Sequence, residues 1–111
     1  MNEEIVLCAA SAYEQKFYIN PDFDTLPDNI KQELRIMCVL YTEDVGGILM
    51  LIFDESGNLE LKVEHEEDDF FFDEIGSVLK VKELRQTKRE LFESLELFFK
   101  VFYLGEEFQE E

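Results

Sequence analysis

At 111 residues the chain has room for one hydrophobic core and not for two. Its 46% hydrophobic and 33% charged residues exclude the low-hydrophobicity, high-charge regime of disordered chains. Twenty-seven acidic residues against 10 basic ones give a formal net charge of −17, a field that opposes nucleic-acid backbones and anionic membranes and favours basic proteins or divalent cations.

Residues 1–111 therefore read as one acidic domain with no nucleic-acid or membrane partner. Eleven phenylalanines and four tyrosines carry much of the apolar content, and large rings of this kind serve both small cores and partner surfaces. The acids in "MNEEIVLCAAS" stand where a secretory signal carries positive charge, so a cytoplasmic location is expected. Cys8 and Cys38 lack CxxC spacing and sit among apolar neighbours, which predicts reduced, buried thiols.

In chain order, the Ala-containing run after Glu4 predicts a helix over about residues 4 to 16. "KFYI" then reads as a strand ended by Asn20 and Pro21. Thr25, Pro27 and Asp28 form a variant of the capping box at the start of a helix over about 26 to 43, whose apolar stripe runs through Ile30, Leu34, Met37, Cys38 and Tyr41. Gly46 and Gly47 end it, since either tolerates positive φ.

"ILMLIF" predicts a strand covered on both sides, "DESGN" a turn, and "LELKVEHE" an alternating strand with one wet face. "DFFFDEI" predicts a third short strand at about 70 to 72, with Phe70 and Phe72 on one side and Phe71 on the other, where it meets the last helix, the N-terminal segment or another subunit, an internal contact being favoured. Asp73 or Ser77 starts a single last helix, with Asp73 and Glu74 meeting its unsatisfied N–H groups. Its stripe of Leu84, Leu91, Leu95, Phe98 and Phe102, widened by Phe92 and Phe99, is too broad for a lone coiled-coil seam and suits a sheet or the first helix. Gly105 stops it, and "EEFQEE" reads as a frayed acidic tail. These elements assemble as an α+β two-layer sandwich, a three- or four-stranded, mainly antiparallel sheet with helices on one face.

Two clusters stand out. His65, Glu66, Glu67, Asp68 and Asp69 are candidate ligands for a divalent metal, although alternation along an extended chain separates them and the spacing is not that of a calcium loop. Otherwise they form a self-repelling connection or an acidic docking face. Residues 80 to 90 hold half of the basic side chains, and Arg85, Lys88 and Arg89 neighbour one another on a helix, facing acids of the same chain, an acidic face of an identical one or a phosphate-bearing ligand. Phe71 with Arg85, Lys88 and Arg89 is the candidate interaction set. There is no nucleophile elbow, P-loop, dinucleotide fingerprint or HExxH, and no cofactor is expected.

The phrases "VLCAASAYEQKFY", "LPDNIKQELRIMCVLYTEDVGGI", "DESGNL" and "FDEIGS" resemble, in order and over nearly the whole chain, a family of short cytoplasmic proteins of clostridia and related Firmicutes with no known function. The resemblance implies a bacterial cytoplasmic setting and assigns no residue a role. The sequence thus favours a small, soluble, non-enzymatic interaction domain that forms a homodimer or binds a basic protein. The alternative is a divalent-metal-dependent or small-ligand-binding domain using residues 64–69, with its pocket between sheet and helices.

Overall fold

The computed structural model describes residues 4–105. Four strands, β1 (Ile5–Ser11), β2 (Lys16–Ile19), β3 (Ile48–Phe53) and β4 (Leu59–Glu64), form one antiparallel sheet in the order β2-β1-β3-β4. Helix α1 (Asp28–Val45) connects β2 to β3, and α2 (Glu74–Thr87) and α3 (Arg89–Phe102) follow β4. The expected tail, residues 106–111, lies outside the described residues.

Strand pairing settles which side of the sheet is dry. Cys8 and Ala10 lie beside Leu51 and Leu49, which in turn lie beside Leu61 and Val63, so these side chains share the face that α1 covers. Cys8 and Cys38 are both free and buried, with their sulfurs 4.0 Å apart across the β1–α1 interface. The proximity of Cys38 and burial push the Cys8 thiol well above its ordinary range, which keeps it protonated and inert. The other face carries Glu60, Lys62 and Glu64 beside Ile52, Met50 and Ile48.

The expected helix at the N-terminus is instead β1. Its alanines have high helix propensity, but the strand is flanked on both sides by hydrogen-bonding partners, and its small Cys8 and Ala10 side chains let α1 approach closely. A bulge between Val6 and Cys8 lets Leu7 and Cys8 both be buried. Asn20 stitches that irregularity to the end of β2, donating from its backbone to Leu7 O at 2.9 Å and from its side chain to Val6 O at 2.8 Å.

α1 and the β3–β4 hairpin form where the sequence places them. The helix is entered without the expected capping box: Thr25 makes no cap, and the Pro27 carbonyl accepts from Ile30 and Lys31 at 3.0 and 3.1 Å. In the hairpin turn Asp54 Oδ1 accepts from the backbones of Ser56 and Asn58, both at 2.9 Å. These bonds, those from Asn58 first, hold the Asp54 carboxyl below its usual range.

The single last helix is broken at Lys88, whose φ of −111° and ψ of 20° leave the helical region. The two halves have different floors. α2 buries Ser77 and Leu84 toward α1, whereas α3 buries Leu91, Phe92, Leu95 and Phe99 over the end of the sheet. There Phe99 stacks on Phe53 at 4.2 Å and on Tyr103 at 5.0 Å, and Phe23 stacks on Tyr103 at 4.9 Å. The aromatic cluster uses Phe99 at its centre, so the expected stripe ends early and Phe102 is exposed.

A buried polar contact sets how α2 sits on α1. The hydroxyls of Tyr41 and Ser77 share a hydrogen bond of 2.6 Å within the core, and burial pushes the Tyr41 phenol up. Tyr41→Phe leaves Ser77 without that partner and should cost about 1–3 kcal/mol in urea-induced unfolding, with most of the loss recovered in Tyr41→Phe/Ser77→Ala. Equal destabilisation of the single and double variants would show that the bond does not hold the helices together.

Candidate functional site

The connection from β4 to α2 begins at His65. Its Nδ1–H donates to the Glu66 carbonyl at 3.0 Å, which fixes the proton on that nitrogen because a carbonyl can only accept. The ring stacks on Phe72 with centroids 4.4 Å apart, and Nε2 lies 3.6 Å from Glu74 Oε1.

Asp69 organises the next residues. Tyr13, from the β1–β2 turn, donates its hydroxyl hydrogen to Asp69 Oδ2 at 2.6 Å and accepts from the Glu66 backbone at 3.0 Å. Asp69 Oδ1 accepts from the Phe71 backbone at 3.0 Å, and the Asp69 backbone donates to Glu66 O at 3.1 Å. The Tyr13 bond, with further help from the backbones of Phe71 and Phe72, holds the Asp69 carboxyl below its usual range. Partial loss of water and the bond to Asp69 push the Tyr13 phenol up.

The expected strand at 70 to 72 does not form: the chain turns there, held by one side-chain bond and by one backbone bond to the end of α1. Asp69 takes the Phe71 N–H, and the Asp73 N–H donates to Val45 O at 3.2 Å, at the end of α1. Phe72 turns inward over Gly47. A Cβ on Gly47 would come within 2.7 Å of both Glu64 O and the Phe72 ring, and its φ of +72° already favours glycine. Asp73 then caps α2, accepting from Gly76 N at 2.8 Å, and a Cβ on Gly76 would collide with that carboxylate.

With Phe72 inside, Phe70 and Phe71 point outward, 91% and 98% exposed. The expected internal position of Phe71 is therefore corrected: the ring that packs back on the protein is Phe72, half-buried against Gly47. On α2, Ile75, Val78 and Leu79 are 76%, 59% and 61% exposed and share the side opposite Ser77 and Leu84. These five apolar side chains form a band with no cover among the described residues. Sequence reasoning passed over the last three, whose signal is a second apolar stripe at 75, 78 and 79 beside the inner one at 77, 81 and 84.

The candidate metal ligands do not converge. Glu66, Glu67 and Asp68 are exposed, Asp69 is turned to Tyr13, and His65 lies against Phe72. Among the described residues no group of three or more His, Cys, Asp or Glu is placed to hold a metal ion. The basic set divides. Lys80 pairs with Asp44 at 2.9 Å, tying α2 to α1, and Lys88 with Glu33 at 3.1 Å, tying the break between α2 and α3 to α1. Lys82 and Arg85 are exposed on the outer side of α2, whereas Arg89, at the start of α3, is exposed beside a groove that Ile30 and Glu33 of α1 also line; none of the three forms an ion pair with another described residue.

Two open grooves flank the outward ridge of Ile36 and Leu40. One of about 650 Å³ lies between the β1–β2 hairpin and α1, lined by Lys16, Phe17, Arg35 and Glu43. The other, about 670 Å³ and between α1 and α2, includes Lys80 and Lys88 with their partners' helix. Neither includes residues 65 to 69. No described helix is long and apolar enough to cross a membrane.

The model of a family of unknown function, DUF6145, matches residues 4–107, and the chain belongs to that family. No curated protein and no solved structure matches it.

The Tyr13–Asp69 contact has a pH signature. A carboxyl depressed in the folded state contributes stability that is complete above its unfolded value, about 4, and is lost as pH falls through the lower folded value. The pinned loop should therefore persist at neutral pH and release only under more acid conditions, read from the Phe71 amide and the Asp69 carboxyl carbon by NMR. In Tyr13→Phe the Asp69 titration should move upward; an unmoved titration would show that the phenol is not its cause.

Proposed function

We propose that this family member is a small non-enzymatic interaction domain that self-associates, in a bacterial cytoplasmic setting, through Phe70, Phe71 and the outer side of α2. The observation that carries this reading is the exposure of that apolar band beside a loop whose backbone is held by side-chain bonds. Display on a fixed support keeps the ordering cost of binding low. Phenylalanine is among the rings enriched at interfaces, and charged residues around such a centre supply selectivity more than affinity.

The band is also of the right scale. Two nearly fully exposed phenylalanines offer on the order of 300 Å² per subunit before the aliphatic side chains are added, against about 800 Å² per partner in an interface of standard size. The groove between α1 and α2 serves this reading less well, because Lys80 and Lys88, which line it, are already engaged by Asp44 and Glu33.

Sedimentation equilibrium over a wide protein concentration should show a monomer–dimer equilibrium. Phe71→Asp should raise its dissociation constant at least about tenfold with an unchanged circular dichroism spectrum, because the ring has no internal contact to lose. A wild-type protein that remains monomeric throughout would remove the reading.

A further inference from the structure

We propose that two copies pair through α2 in antiparallel orientation, around a twofold axis near Val78 and Leu79, so that each acidic loop at Glu66, Glu67 and Asp68 meets the partner's Lys82 and Arg85. This inference rests on the self-association reading above and adds its geometry.

The outer side of α2 is graded along its length. Exposed acids of the preceding loop and Glu74 stand at its N-terminal end, Ile75, Val78 and Leu79 follow in its first two turns, and Lys82 and Arg85 lie in its C-terminal half. Lys80 and Lys88 are directed at Asp44 and Glu33 on α1, so the basic half of the outer side rests on Lys82 and Arg85. A parallel pairing would set acid against acid in a chain of net charge −17, whereas the antiparallel one sets each acidic end against a basic end.

Spacing agrees with that pairing. Glu74 and Lys82 lie four residues either side of Val78, roughly 6 Å along the helix in each direction, so reversal of one copy brings each opposite the other. Arg85 lies in line with Val78 on the outer side, about two turns further along, and reaches toward the Phe71 end of the partner, where a guanidinium and an exposed ring suit one another. Because both surfaces belong to one face, the contact is self-complementary and closes at two subunits.

Two charge-reversed proteins test the geometry: Lys82→Glu/Arg85→Glu and Glu67→Lys/Asp68→Lys. Each alone should dimerise at least about tenfold more weakly than wild type, while an equimolar mixture should restore pairing, since each reversed surface then meets its complement. Leu79→Cys supplies a separate reading, because Cys8 and Cys38 are buried and the new thiol would lie near its own copy across the axis; mild oxidation should give a linked dimer. Wild-type dimers with reversed variants that pair as well as wild type, a mixture that stays apart, or no linked Leu79→Cys dimer would overturn the antiparallel arrangement and leave self-association standing. A monomeric wild type would instead overturn self-association itself.

Discussion

The packing of Phe72 over Gly46 and Gly47 fixes where the second half of the molecule can go. The glycines end α1 with positive φ, and the missing Cβ of Gly47 is the space in which the Phe72 ring and the Glu64 carbonyl come close. The hydrogen bond from Asp73 N to Val45 O then joins the start of α2 to the end of α1. From that fixed point Asp73 caps the helix, Ser77 reaches Tyr41, and the side of α2 bearing Ile75, Val78 and Leu79 turns outward.

The same constraint sorts the three consecutive phenylalanines. One ring enters the space above Gly47, and Asp69 holds the backbone of Phe71 so that the other two project into water. Exposure of large rings is unfavourable for an isolated chain. The contribution that offsets it, in the proposed account, is burial against a second copy, with the acidic and basic ends of α2 choosing the orientation.

What the sequence reveals is what local chemistry decides. The alternation of Leu59, Leu61 and Val63 with Glu60, Lys62 and Glu64, the Asp54 turn, the stripe of α1 and the Asp73 cap all depend on neighbours within a few residues, and all are found where the pattern places them. β1 was hidden because its identity depends on partners up to β3, which outweigh the helix propensity of its alanines. The break at Lys88 was hidden for a related reason: the heptad spacing runs through it unbroken, and only the change of floor from α1 to the aromatic cluster divides it. At the candidate surface, the acids and Phe71 could be singled out from the sequence, but which ring would turn back on the protein depended on the missing side chain of Gly47, some 25 residues away.

The most direct measurement is an isotope-filtered nuclear Overhauser experiment on an equal mixture of labelled and unlabelled protein, which detects only contacts between copies. The account predicts cross-peaks among the methyl groups of Ile75, Val78 and Leu79 and from these to the rings of Phe70 or Phe71. Intermolecular cross-peaks confined to other surfaces, with the α2 methyls showing none, would contradict it.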